Sequence, residues 1–257
     1  MKRESSNPFK RALASGQPQY GIWSASCNAT VAEIIAGAGF DWVLFDAEHA
    51  PNTSATLLDQ IRAMGAAQAT AIVRPTSNDK VPVQTVLDLG FMNVLIPYVE
   101  DAEQAARAVS YTRYPTLGVR GVSGGQRANG YGRDRGYAER SQSSIAVIAQ
   151  IESRLGVQNL EAIAKVDGID AIFVGPGDLA ADLGHLGKPM SDPVQSVIAD
   201  IGQRVRKLNC VAGIAASSPE DARRYVQMGF ALVTVCSDLA LLRDGMQAAL
   251  ELARRGN

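Results

Sequence analysis

Two histidines occur in this chain, and one of them, His49, follows two acids in the stretch Asp46-Ala47-Glu48-His49. A carboxylate three residues before an imidazole, at one turn, can orient the ring and raise its basicity, the pairing a general base needs. His49 could equally be a satisfied histidine near the start of a helix. Arg74 ends the run Thr70-Ala71-Ile72-Val73, where no polar alternation accounts for a charge. A guanidinium in that place either binds a carboxylate and stabilises a developing enolate oxygen, or closes a salt bridge on a rim. Glu152 and Asp178 follow two later apolar runs. Two converging carboxylates favour a hard divalent ion, Mg2+ or Mn2+, with the other octahedral positions left to water and substrate. The competing reading makes Asp178 a helix N-cap and Glu152 a first-turn acid.

The elements that must position these residues show in the periodicity. Short runs rich in Val, Ile and Phe predict strands at 20–24, 41–46, 70–74, 93–98, 145–151, 170–175, 210–214 and 231–236. Segments with apolar residues three and four apart predict helices at 30–38, 53–65, 79–89, 101–111, 154–165, 192–207, 218–228 and 238–253. Eight such units in 257 residues, with no Pro- or Ser-rich linker between them, predict an α/β fold, a single (β/α)8 TIM barrel over 1–257. A doubly wound sheet would want GxGxxG after the first strand, and Gly21 to Asn28 holds nothing of the kind. A Gly- and Arg-rich insertion at about 114–144 has no clear period.

In a barrel, catalytic groups leave the C-terminal ends of the strands. Here those ends read Trp23-Ser24, Asp46 to His49, Arg74, Glu100, Gln150 with Glu152, Gly175 to Asp178, Ala215 to Ser217, and Ser237-Asp238. Adjacent strands lie roughly 4.8 Å apart, so Glu152 and Asp178, after the fifth and sixth strands, could reach one ion.

Composition narrows the partners. A formal net charge of -1 gives no general reason to expect nucleic acid or an anionic membrane, and a small molecule is the expected partner. Cys27, Cys210 and Cys236 form no CxxC pair, so reduced thiols in the cytoplasm are the expectation. The N-terminus has no apolar core of a signal peptide, and no segment approaches the roughly 18 apolar residues of a membrane span. An imine-forming aldolase would need a lysine at a strand end. Lys2, Lys10, Lys80, Lys165, Lys188 and Lys207 all lie elsewhere, which favours a metal route. Neither a GxSxG elbow nor a P-loop is present, and Cys236, at a strand end, has no histidine that must accompany it.

Several motifs in one order, from about Phe9 to about Leu250, resemble the metal-dependent class II pyruvate aldolases, a family that includes 4-hydroxy-2-oxoheptanedioate and 2-dehydro-3-deoxyglucarate aldolases. They are Asp46-Ala47-Glu48-His49-Ala50-Pro51, Val73-Arg74-Pro75, Thr112-Arg113-Tyr114-Pro115 with Gly118-Val119-Arg120-Gly121, Gln150-Ile151-Glu152 and Val174-Gly175-Pro176-Gly177-Asp178-Leu179. The resemblance implies a (β/α)8 barrel whose last helix packs on a neighbouring subunit, and a homo-hexamer built from dimers. It implies that Glu152 and Asp178 hold the ion, Mg2+ or Mn2+ with Co2+ also suited. Arg74 would touch the pyruvate oxygens, and His49, oriented by Asp46, would move the proton through a water. Gln150 would line the pyruvate pocket, and the turn Gly175-Pro176-Gly177 would receive the carboxylate on backbone amides. Trp23 and Ala215 would shape the floor, with Glu48 behind the metal. Ala47 and Cys236 depart from the family, which usually has Gly at the first and often at the second.

For the far end of the substrate, the insertion sets Arg113, Arg120, Arg127, Arg133, Arg135 and Arg140 against Asp134 and Glu139. That excess suggests recognition of a second carboxylate, with Arg120 foremost; a solvated loop is the other reading. Arg120-Gly121-Val122-Ser123 and Leu183-Gly184-His185-Leu186-Gly187 are more similar to the dehydro-deoxyglucarate enzymes, which implies cleavage to pyruvate and tartronate semialdehyde. Alternatives are a heptanedioate aldolase releasing succinate semialdehyde, an oxaloacetate decarboxylase, and a metal-free binding protein on the same barrel.

Overall fold

In the computed structural model, which describes residues 7–65 and 67–255, eight parallel strands close in sequence order into a barrel. The strands are β1 (Gln19–Ser24), β2 (Trp42–Asp46), β3 (Thr70–Arg74), β4 (Asn93–Ile96), β5 (Ala146–Ile151), β6 (Ile169–Val174), β7 (Val211–Ile214) and β8 (Leu232–Ser237). The helices are α1 (Pro8–Ala14), α2 (Ala29–Ala36), α3 (Ser54–Ala63), α4 (Lys80–Asp88), α5 (Ala102–Thr112), α6 (Tyr137–Ser144), α7 (Arg154–Gln158), α8 (Leu160–Ala164), α9 (Pro176–Asp182), α10 (Asp192–Lys207), α11 (Pro219–Gln227) and α12 (Asp238–Arg254). The α/β barrel is the one the periodicity predicts, and strand limits shift by one or two residues. The predicted helix at 154–165 is two, broken at Asn159. Among the described residues no helix is long and apolar enough to cross a membrane.

Strand period decides what lies inside. Successive side chains alternate faces, so Trp42 and Leu44 of β2, Ile72 of β3, Ile148 of β5 and Phe173 of β6 fill the barrel, while Val43, Phe45, Val73, Val147 and Ile172 pack outward under the helices. The filling alternates large with small. A Cβ on Gly213 would stand 2.9 Å from Leu232 O, so that position is held open for its neighbours. Trp42 meets Phe173 edge-on at 6.3 Å.

The two mouths of the barrel differ. Helix α1, absent from the sequence expectation, seals the N-terminal mouth with Phe9 and Leu13, both in the inner cluster. Asn7 holds it there through Asn93 Oδ1 at 2.8 Å, and Lys10 pairs with Asp170 at 2.8 Å. Polar residues at strand starts stitch neighbouring strands at this end, as where Asp170 Oδ2 accepts the Val147 N–H at 2.9 Å. Chemistry is left to the other mouth.

Candidate active site

The inward phase of each strand, carried past the last apolar layer, delivers the site. In β2 it runs Trp42, Leu44, Asp46; in β3, Ile72, Arg74; in β5, Ile148, Gln150, then Glu152; in β6, Phe173, then Gly175. Trp23 and Ala215 continue the same phase from β1 and β7 and pack on the inner cluster. One period of two therefore collects Trp23, Asp46, Arg74, Gln150, Glu152, Gly175 and Ala215 at one mouth.

Arg74 is the hub of one side. Asp46 and Arg74 are register partners on β2 and β3, and both side chains are buried. The guanidinium donates Nε to Asp46 Oδ1 at 2.9 Å and an Nη to Oδ2 at 2.7 Å, while its other Nη stands 2.8 Å from Glu48 Oε2. The Trp23 ring lies 4.6 Å below it, and the indole N–H reaches Asp46 Oδ2 at 3.1 Å. Burial alone would raise the Asp46 carboxyl; the bidentate bond and charge of Arg74 outweigh it and hold Asp46 below the usual carboxylate range. Glu48 is pushed up by its burial, against the pull of Arg74.

The expected Asp46 and His49 dyad is corrected here. Asp46 spends its oxygens on Arg74, Trp23 and the backbone N–H groups of Glu48 and His49. The His49 ring, with 63% of its side chain exposed, instead has Glu48 Oε2 4.0 Å from Nε2. The physical reason is competition: a guanidinium on the adjacent strand offers Asp46 two charge-assisted bonds, which an imidazole on its own turn cannot match. Ala47 is not among the non-glycine residues with positive φ, so its backbone does not require the glycine usual there. Cys236 is half-buried, and burial raises its thiol.

Glu152 centres the other side. It lies just past β5 and before the cap of α7, so it is not a first-turn acid. Its Oε1 accepts the Tyr98 N–H at 2.9 Å and its Oε2 the Gln150 Nε2 at 2.7 Å. Burial, helped by the charges of Asp178 and Glu48 and resisted by the Tyr98 amide, pushes Glu152 up to about 7. Asp178 sits in the first turn of α9, whose N-cap is Gly175, and is exposed at the mouth. Gly175 serves close approach: a Cβ there would crowd Glu152 Oε2 and stand 2.8 Å from Gln150 Nε2.

This donor set suits a hard divalent cation. The charges of Asp178 and Glu48 add to burial in raising Glu152, and the buried Gln150 Oε1 lacks a partner among the described residues, so this side of the opening has acceptors to spare for a cation. No group of three or more His, Cys, Asp or Glu is placed to hold a metal among the described residues. Glu152 and Asp178 are the two carboxylates here that could hold such an ion, with the other positions open to water or substrate oxygens.

Arg120 is not brought to this mouth, which corrects the expectation that it binds substrate. Its side chain is wholly enclosed, pairs with Asp88 at 2.7 Å, and lies 4.7 and 5.6 Å from the Tyr114 and Tyr137 rings. Asp88 ends α4 beside the N-terminal mouth, so the pair ties the insertion to α4. The insertion itself carries the turn Arg127–Asn129 and helix α6, where no period was visible. Two residues at the mouth received no role from the sequence. Tyr98 holds a left-handed φ of 53°, which aims its amide at Glu152, and Pro97 just before it was the available sign of a turn. Asp238 had been placed at a strand end with no partner in view.

Comparison with known proteins agrees with the motifs. The family model described as HpcH/HpaI aldolase/citrate lyase matches residues 19–245. The chain is 47% identical over 241 residues, 94% of each chain, to a 5-keto-4-deoxy-D-glucarate aldolase of Salmonella arizonae. It is 46% identical, with the same coverage, to the protein of that name from Klebsiella pneumoniae. Among solved structures, an HpcH/HpaI aldolase/citrate lyase family protein from Burkholderia cenocepacia superposes with a TM-score of 0.94 at 37% identity, covering 97% of this chain and all of that one.

Proposed function

The chain belongs to the HpcH/HpaI aldolase/citrate lyase family, and from that premise we propose that it is a carbon–carbon lyase cleaving a 2-oxo-3-deoxy sugar diacid to pyruvate and tartronate semialdehyde. A 5-keto-4-deoxy aldarate, numbered from its other carboxylate, is such a 2-oxo-3-deoxy acid, so the names of the relatives and the motif reading meet on one substrate class. The observation that carries the proposal is the buried Glu152, raised in pKa beside Asp178 and facing Arg74 across the mouth.

A divalent cation held by Glu152 and Asp178 would supply Lewis acidity toward the 1-carboxylate and 2-oxo group. Arg74, locked in plane by Asp46 and by the Trp23 face, places positive charge where the enolate oxygen develops, and because it is already fixed it loses little order in the reaction. Retro-aldol cleavage breaks the C3–C4 bond as the 4-hydroxyl gives up its proton; the electron pair stays on C3 as the enolate, and protonation of C3 yields pyruvate. His49, exposed at the mouth beside Glu48, takes the hydroxyl proton directly or through one water. Gln150 holds Glu152 in place and offers its free Oε1 to the substrate. The turn Gly175 to Asp178 opens α9 toward the same space and offers its amides to the pyruvate carboxylate.

We also propose a homo-oligomer, built from dimers into a hexamer, in which α12 packs on a neighbouring subunit. Leu239, Leu242, Met246 and Leu250 stand exposed along this helix and support that reading.

The test is pyruvate release by protein stripped with EDTA and reloaded with Mg2+ or Mn2+, comparing 2-dehydro-3-deoxyglucarate with 4-hydroxy-2-oxoheptanedioate. Metal-dependent release with the sugar diacid preferred in kcat/KM is expected. Preference for the heptanedioate would move the substrate, release from oxaloacetate alone would make the protein a decarboxylase, and release that survives stripping would remove Glu152 and Asp178 from the chemistry.

A further inference from the structure

Asp238, the first residue of α12, is buried, and both of its oxygens are used twice. Oδ2 accepts the Ser24 hydroxyl at 2.9 Å and the Ser26 N–H at 3.1 Å; Oδ1 accepts the Ala25 N–H at 3.0 Å and the Leu239 N–H of its own helix at 2.7 Å. Three consecutive residues at and beyond the end of β1 therefore hang from one side chain of another element. The residue just before them is Trp23, whose register partner on β8 is Ser237 and whose indole bears on both Asp46 and Arg74. Asp238 is also the buried residue of α12, a helix that otherwise presents itself outward.

We propose that Asp238 is a positioning residue of the active site: it fixes the wall that carries Trp23, and through Trp23 the Asp46 and Arg74 pair, so that site geometry follows the seating of α12. The chemistry of the position requires a carboxylate. The N-terminus of α12 favours a negative charge there. An amide in either orientation would turn its NH2 on backbone N–H donors, those of Ala25 and Leu239 or that of Ser26, which then lose their acceptor. The inference rests on the aldolase reading of the site for its kinetic arm alone.

The experiment pairs Asp238→Asn with the milder Ser24→Ala. Pyruvate-release kinetics with Mg2+ and tryptophan emission are read on both, with Trp23→Phe as the control that separates Trp23 from the buried Trp42. Asp238→Asn is expected to lower kcat/KM about tenfold or more, mostly in kcat, because small misplacements of oriented groups are costly. The Trp23 emission should shift, and Ser24→Ala should move both readouts in the same direction by less. A lowered Tm with kcat, KM and Trp23 emission all at wild-type values would make Asp238 a structural residue and overturn the proposal. If Asp238→Asn does not fold, Ser24→Ala decides by the same readouts. If the wild-type protein releases no pyruvate, the aldolase reading fails by itself, and the emission of Trp23 still decides the role of Asp238.

Discussion

Gly175 illustrates how tightly the site is specified at single residues. The Glu152 carboxylate reaches its position by passing over a residue with no side chain, held by Gln150 on one oxygen and the Tyr98 amide on the other. Gly175→Ala puts a methyl group into that path, so the carboxylate must rotate away from the mouth. We expect kcat/KM to fall about a hundredfold, as displacement of an oriented group by about 1 Å can do, while Tm changes little. Calorimetric Mg2+ titration beside the pyruvate assay checks it, and a fully active variant would show that the orientation of Glu152 is unimportant. The placement of Trp23, Arg74, Gln150 and Glu152 at one mouth was open to a sequence reader because strand period and strand-end position fix which residues face it. The partner of Asp46 was not. Proximity along the chain suggested His49, whereas the register between β2 and β3 brings Arg74, and register is set by the closure of the whole barrel.

At the level of elements, strands and most helices followed from apolar period, since a parallel strand buried on both faces reads as a continuous apolar run. The insertion was opaque for the converse reason: its order comes from Arg120, a charged residue that no hydrophobic pattern registers. With Asp88, Tyr114 and Tyr137 around it, Arg120 ties residues 114–144 to α4. Arg120→Ala leaves Asp88 without its cation in a largely enclosed place, a loss of about 3 kcal/mol, and should leave the preference between substrates with and without a far carboxylate unchanged. Urea unfolding and the ratio of kcat/KM values test the two halves; a stable variant that no longer prefers the diacid would return Arg120 to the substrate. A second tie joins α8 to α10, where Arg204 grips Glu161 with two bonds of 2.7 Å. The Arg204 bond lowers Glu161 from 4.5 to about 2, so the folded chain binds this proton less readily than the unfolded one. Stability from the pair is therefore full above about pH 4.5 and is lost as pH falls toward 2. Because Glu161 is partly exposed, at most about 1 kcal/mol is at stake. Glu161→Gln should be less stable than wild type at pH 7, with the gap narrowing at pH 3, and an equal gap at both values would contradict the assignment.

For the whole molecule the decisive element is α12. Its seventeen residues leave Asp238 as the buried one, while Leu239, Leu241, Leu242, Met246, Leu250 and Leu252 stand in contact with solvent in the single chain. These side chains are about half to three-quarters exposed, so completing their burial would gain each roughly 1–2 kcal/mol. Packing within one chain does not supply that burial, whereas a second copy that offers the same face does so reciprocally, as a two-fold interface requires. We therefore expect light scattering to give a mass several times the 27.2 kDa of one chain. The double variant Leu242→Glu, Met246→Glu should lower that mass while leaving the barrel folded by far-UV circular dichroism, because neither residue contributes to the barrel core. If Asp238 transmits the seating of α12 to Trp23, the same double variant should also lower kcat, although neither substituted residue touches the mouth. An assembly that keeps its mass through both charged substitutions would place the interface elsewhere. A dissociated protein with undiminished kcat would separate assembly from catalysis and confine Asp238 to its own chain.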